Sequence, residues 1–217
     1  LGAPNAGKST LVNELVGAKV SIVTHKVQTT RIRIMGIAKK EECQIVFIDT
    51  PGIFEPRRRL DRAMVEAAWQ GANDADRIML IVDAKRGMDR DTARILKGLE
   101  HSNQTAVLVL NKIDLVKREE LLALAAEFNA MQIFDETFMI SALTGDGVAD
   151  ILSRLVSSLP EGPWMFPEDQ ISNLPQRLMA AEVTREYLFL QTHKEVPYLT
   201  TVETESWEEF KDGSIKI

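Results

Sequence analysis

A single cysteine, Cys43, is the whole thiol inventory of the 217 residues, so no internal disulfide can form and a reducing cytoplasm suits the chain. It stands at the start of an expected strand beside Glu41 and Glu42, which disfavour a thiolate, and it reads as structural. The three histidines (His25, His101 and His193) are scattered without metal-ligand spacing. No apolar stretch approaches the length of a membrane span, and no secretory or lipidation signal is visible. Surplus basic charge is missing too. The net charge is −6, with ten acidic and five basic residues from Glu168 onward, which is a poor advertisement for binding a polyanion. Arg57-Arg58-Arg59 with Arg62 reads as a solvated face more readily than as a contact for RNA or a partner. Trp69, Trp164 and Trp207 are expected to pack rather than to stack on bases. Internal repeats and low-complexity tracts are absent.

What remains is ordinary for a globular α/β protein: 45% apolar residues, and a length that holds one domain of roughly 150–170 residues plus a further piece. The chain opens on Gly2-Ala3-Pro4-Asn5-Ala6-Gly7-Lys8-Ser9, which fits G-x-x-x-x-G-K-[ST]. Gly2 and Gly7 let the backbone curl into a nest of N–H groups facing phosphate oxygens, with a helix N-terminus behind. Lys8 brings a positive charge to the β- and γ-phosphates, and Ser9 offers its hydroxyl to Mg²⁺. Ser9 to Val16 reads as the following helix, ended by Gly17. The strand that normally precedes this loop is expected to be missing, because the chain begins one residue before the motif.

Three more elements follow. Asp49 ends the apolar run Gln44–Ile48, where a carboxylate emerging from a buried strand can hold Mg²⁺ through its water shell. Gly52, in Asp49-Thr50-Pro51-Gly52, can bring its N–H close to a γ-phosphate for want of a side chain. Asn111-Lys112-Ile113-Asp114 ends a second buried strand, Ala106–Leu110. Asp114 can accept from guanine N1–H and the 2-amino group, whereas adenine would leave the buried carboxylate unpaired. The alternative reading of Asp114 is a cap on the helix starting near Lys117. Lys112 has an aliphatic stem suited to lie over the base, and Asn111 is short enough to tie this turn to the first loop. Ser141-Ala142 ends the strand Thr137–Ile140, placing the Ala142 N–H to meet guanine O6. Between the first loop and Asp49, Lys26–Arg31 holds a threonine for the Mg²⁺ shell, Thr30 with Thr29 as rival, in a segment ordered by GTP and released on hydrolysis. The ligands implied are GTP or GDP and Mg²⁺. The nucleotide-binding set comprises Asn5, Ala6, Gly7, Lys8, Ser9, Thr10, Asp49, Gly52, Asn111, Lys112, Asp114, Ser141 and Ala142. The catalytic set is Lys8, Thr30 and Gly52, and the metal set is Ser9, Thr30 and Asp49.

Strands and helices alternate. A hairpin is expected from Arg31–Ala38 and Gln44–Ile48, a strand at Arg77–Val82, and helices at 60–71, 89–99, 117–129 and 147–158. That order predicts an α/β P-loop domain with a mostly parallel sheet flanked by helices, and every motif falls at the strands' C-terminal ends.

With those residues in place, the chain resembles the Era family of P-loop GTPases, in the branch that also holds TrmE and EngA. The resemblance runs over essentially all 217 residues. Downstream it rests on Leu159-Pro160-Glu161-Gly162-Pro163, Ser172-Asn173-Leu174-Pro175, Glu182-Val183-Thr184-Arg185-Glu186 and Glu195-Val196-Pro197-Tyr198. It implies a GTPase domain over 1–159, a proline-rich linker over 160–175 and the beginning of a KH domain over 176–217. It further implies a GTPase switch in small ribosomal subunit assembly, binding 16S rRNA near its 3′ end, cytoplasmic, monomeric, with peripheral membrane association. KH domains clamp RNA through a Gly-x-x-Gly loop. None occurs between Thr184 and Ile217, so RNA contact is expected of a longer parent protein.

Two departures bear on mechanism. Ras-like GTPases place a water-orienting glutamine where this chain has Ile53, so slow intrinsic hydrolysis is expected. In relatives with the loop asparagine, its side-chain oxygen helps hold K⁺, which implies K⁺-stimulated hydrolysis through Asn5. A plain turn residue is the alternative for Asn5. Two other readings of the whole remain: a guanine-nucleotide-gated binding module with little hydrolysis, and an inactive fragment of such a GTPase.

Overall fold

A computed structural model describes residues 1–26, 29–192 and 200–217. The expected turn at Glu195–Tyr198, and Gln28 of the switch segment, lie outside the described residues. The elements run α1 (Lys8–Val16), β1 (Ile34–Lys40), β2 (Cys43–Asp49), α2 (Arg59–Asn73), β3 (Met79–Asp83), α3 (Arg90–His101), β4 (Ala106–Asn111), α4 (Arg118–Asn129), β5 (Phe134–Ile140), α5 (Val148–Ser158) and α6 (Gln176–Gln191). A short hairpin, β6 (Glu208–Glu209) with β7 (Ile215–Lys216), follows.

Strands β3, β4 and β5 form a parallel sheet with β4 in the middle, and β4 is buried along its whole length. Period-two alternation divides its side chains between two cores. Val107 and Val109 join Leu11, Leu15, Ile151 and Leu155 from α1 and α5. Leu108 and Leu110 join Ala68, Ile95, Leu99 and Phe128 from α2, α3 and α4. The helices read the same way. In α3 the residues Thr92, Ile95, Leu96 and Leu99 are buried at i, i+3, i+4 and i+7, and the N-cap Asp89 accepts from the Thr92 N–H at 2.8 Å. Trp69 packs against Gly98, as a packing tryptophan should.

Strands β1 and β2 form an antiparallel hairpin that turns at Glu41, whose φ is +55°. It is a separate two-stranded sheet rather than a further member of the parallel one. Leu1 and Gly2 run beside the parallel sheet. Gly2 pairs parallel with Ile81, the Ile81 N–H donates to Leu1 O at 2.9 Å, and the Ile53 N–H donates to Gly2 O at 3.1 Å. The residues entering the P-loop thus follow the course of a strand beside β3.

Residues 164–173 are held along the hairpin. The Ile37 N–H donates to Ile171 O at 2.8 Å, and Met35 and Asn173 exchange a pair of hydrogen bonds. Trp164 donates its indole N–H to Glu42 O at 3.0 Å, with the Lys39 ammonium 5.0 Å above its ring.

Candidate nucleotide and metal site

The sheet, α1 and the turn after β4 enclose a cavity of about 530 Å³, a volume suited to a nucleotide. Its floor is the first loop. Asn5 takes φ +64° and Gly7 φ +97°, so the chain turns through left-handed conformations just before α1 starts. Gly7 has a second constraint. A Cβ there would fall on the Asn111 side-chain nitrogen.

Asn111 is the strap of the site. Its Nδ2 donates to Ala6 O at 2.9 Å, and its Oδ1 accepts from the Ala142 N–H at 2.9 Å. One buried side chain therefore ties the first loop, the β4 turn and the β5 turn together, as expected for the first of these links. The Ala142 N–H assigned to guanine O6 is engaged by Asn111 here. Lys112 adds a second tie, donating through Nζ to Asn5 O at 2.7 Å and to Asp83 Oδ2 at 2.6 Å. Its left-handed backbone, φ +67°, sends the next residues into a short turn, Ile113–Leu115. Asp114 sits in that turn, exposed at the cavity wall, and does not cap α4, whose N-cap is Lys117.

At the other end Ser9, Thr30 and Asp49 converge. Ser9 Oγ donates to Asp49 Oδ2 at 2.7 Å and shares a hydrogen bond of 3.0 Å with Thr30 Oγ1. Thr29, the rival, spends its hydroxyl on Thr24 Oγ1 and Lys26 O. Asp49 is 1% exposed, and its Oδ1 has no hydrogen-bond partner among the described residues. Burial raises its pKa against the opposing influence of the Ser9 hydroxyl and the Lys8 charge. Lys8 donates to Gly2 O and Ala3 O at 3.2 and 3.0 Å, and burial lowers its pKa to about 8, with Asp49 opposing. Three hard oxygen donors with one carboxylate oxygen unsatisfied fit a Mg²⁺ ion, and an under-partnered ammonium fits phosphate.

Gly52 lies against Pro4, where an added Cβ would stand 2.9 Å from the proline backbone. That contact, not backbone strain, is what calls for glycine. Ile53 is fully buried in the core with α2 and α3. It faces away from the cavity, so this position is structural as well as chemically inert.

Sequence reasoning missed three residues. Asp83 ends β3 as Asp49 ends β2, and this carboxylate after an apolar run was the available signal. Arg86 lines the cavity and donates to Pro4 O at 3.3 Å. Asn13 accepts from the Val20 and Ser21 N–H groups, both at 2.9 Å, and fixes the chain just after α1. Its position within α1 carried no signal.

Comparison with known proteins agrees with this geometry. Residues 1–112 match the family described as 50S ribosome-binding GTPase. GTPase Era of Rhizobium meliloti (strain 1021) is 64% identical over the whole chain, which covers 69% of that protein. GTPase Era of Brucella melitensis biotype 1 is 58% identical, again over the whole chain and 70% of that protein. A crystal structure of Era with MgGDPNP and nucleotides 1506–1542 of 16S ribosomal RNA superposes with a TM-score of 0.91 at 38% identity, over 98% of this chain and 72% of that one. An Aquifex aeolicus Era variant bound to GDP·AlF4⁻ gives a TM-score of 0.90 at 38% identity and the same coverage.

Proposed function

Because the chain belongs to the Era family of GTPases, we propose that GTP and GDP occupy the cavity between the P-loop and the Asn111–Asp114 turn, and that GTP hydrolysis sets the state of the segment around Thr30. The observation that carries this is the meeting of Ser9, Thr30 and Asp49 beside Lys8, three stretches of sequence brought within hydrogen-bond reach.

Ser9 and Thr30 would hold Mg²⁺, with Asp49 acting through its water shell. When bound, the ion offsets charge on the β- and γ-phosphates. Lys8 turns from the Gly2 and Ala3 carbonyls to the same phosphates, so the nucleotide replaces weak partners of a buried cation by strong ones. The loop amides of Ala6 and Gly7, with Thr10 at the α1 N-terminus, cradle the phosphates. Gly52 presents its N–H to the γ-phosphate. Asp114 reads guanine, and Lys112 covers the base.

Ile53 cannot orient the attacking water, so that task falls elsewhere and the intrinsic rate is slow. With its nitrogen donating to His25 O at 2.9 Å, the Asn5 amide has its oxygen to offer a K⁺ ion near the phosphates. By likeness to the Era bound to 16S rRNA, the protein acts on that RNA in small-subunit assembly. We place it in the cytoplasm as a monomer. A peripheral contact with the membrane belongs to the same reading; no helix among the described residues is long and apolar enough to cross one.

A second reading, a nucleotide-gated binding module with little turnover, is favoured by the burial of Ile53. Single-turnover hydrolysis of GTP in KCl and in NaCl separates the two. Faster turnover in KCl supports a K⁺-assisted GTPase, equal rates remove K⁺, and no turnover leaves the binding module. Fluorescent GDP and ADP binding in Mg²⁺ tests the site itself, with GDP preferred.

A further inference from the structure

The segment that carries Thr30 is gripped from outside the P-loop domain. Helix α6 lies against it and contributes three buried residues: Arg185 at 3%, Glu186 at 6% and Phe189 at 0% exposure. The Arg185 Nη2 donates to Thr29 O at 2.8 Å, and the same guanidinium pairs with Glu182 one turn earlier on α6. On the other side of Thr30, the Arg31 guanidinium stands 5.6 Å from the centre of the Phe189 ring, and Arg185 stands 5.2 Å from it. Further upstream, Glu186 accepts from the Val23 N–H at 2.9 Å and pairs with Lys19. Thr30 is therefore flanked on both sides by residues anchored to one helix, while its own hydroxyl meets Ser9.

These contacts are directional and largely buried. A buried carboxylate or guanidinium is stable only while its partners stay in place, so α6 and the residues it holds (Lys19, Val23, Thr29 and Arg31) favour one mutual arrangement. Such an arrangement fixes the backbone on either side of Thr30. A side chain that must reach a metal held by three different elements gains from having its backbone fixed in advance.

We infer that Arg185 and Phe189 are positioning residues for Thr30: from a helix beyond the P-loop domain, they hold the threonine hydroxyl where a γ-phosphate-bound Mg²⁺ requires it. The inference rests on the nucleotide reading above. Its consequence is reciprocal. Whatever factor docked α6 adds to GTP affinity, bound GTP adds to the docking of α6.

The contact sorts nucleotides, because the Thr30 hydroxyl serves the triphosphate state and not the diphosphate state. The test uses the intact chain with GDPNP and with GDP, each with Mg²⁺, on the parent and on Arg185→Met and Phe189→Leu. Both substitutions keep much of the buried volume, and melting with GDP bound verifies that each variant is folded. GDPNP affinity should fall about tenfold, the scale of a charge-assisted hydrogen bond, with GDP affinity within about twofold of the parent. Amide hydrogen exchange over 176–191 should slow when GDPNP replaces GDP in the parent, and should not in the variants. Equal losses for both nucleotides, or none for either, would overturn the inference and leave the nucleotide site standing. Failure of the parent itself to bind either nucleotide would overturn both.

Discussion

The Asn111 amide nitrogen occupies the place where a side chain on Gly7 would begin. Two residues more than a hundred positions apart thus share one small volume, and the turn proposed to recognise the base is locked to the loop proposed to cradle the phosphates. Gly7→Ala meets this obstacle and a φ of +97° together. We expect a loss of about 1–3 kcal/mol in stability and of measurable GDP binding. Thermal melting and fluorescent GDP titration check both, and unimpaired GDP binding would refute the packing argument.

Asp114 stands exposed at the cavity wall and leaves α4 to be capped elsewhere. Asp114→Asn should therefore leave the melting temperature nearly unchanged while moving preference from GDP to xanthosine diphosphate. The xanthine 2-oxo group accepts from an amide where guanine needs a carboxylate. A variant that still prefers GDP would mean that another group reads the base.

Ser9 donates to Asp49 and is the foremost of the groups that oppose the effect of burial on that carboxylate. Ser9→Ala removes a proposed metal ligand and leaves that carboxylate with fewer partners. The Mg²⁺ concentration giving half-maximal GDPNP binding should rise about tenfold or more. Superimposable Mg²⁺ titrations of parent and variant would exclude Ser9 from the metal shell.

Lys8 gives the site a pH signature. Its folded-state pKa, about 8 without nucleotide, lies below the 10.5 of an exposed lysine. Between those values the unfolded chain holds the proton and the folded chain does not, so stability from this group rises with pH across that window. Below pH 8 the buried charge is a standing cost. Phosphates restore a partner for the ammonium, so GDP binding near pH 9 should take up a proton that binding at pH 7 does not. Calorimetry in two buffers of different ionisation enthalpy measures this directly, and zero uptake at pH 9 would mean that Lys8 does not change protonation on binding.

The segment from Trp164 to Asn173 is fastened to β1 and β2. Asn173→Ala deletes the side-chain half of its exchange with Met35 and should cost about 1 kcal/mol, a fall of roughly 2–4 °C in Tm. No change would make this stretch a loose tether.

Much of this protein was legible in one dimension. The phosphate loop, the strand-ending carboxylate Asp49 and the Asn111–Asp114 turn are local patterns, and local patterns dictate local backbone. The apolar period separates the buried strands from the amphipathic helices for the same reason. The neighbouring motifs give the threonine pair its metal role, with Thr30 favoured and Thr29 its rival, and the two hydroxyls part in the structure, one toward Ser9 and one toward Thr24.

Tertiary structure decided what depends on distant partners. No spacing rule announces that Asn111 must engage both Ala6 and Ala142, or that Ile53 turns inward to pack with α2 and α3. A proline-rich stretch reads as a linker whether it floats or lies along a sheet edge, because its pairing with Met35 and Ile37 is set by the hairpin. The buried charges of α6 look like any solvated helix face in the sequence. The approach of Lys19, Val23 and Thr29 helps make Arg185 and Glu186 interior, since a charge is buried by what folds against it and not by its neighbours in the chain.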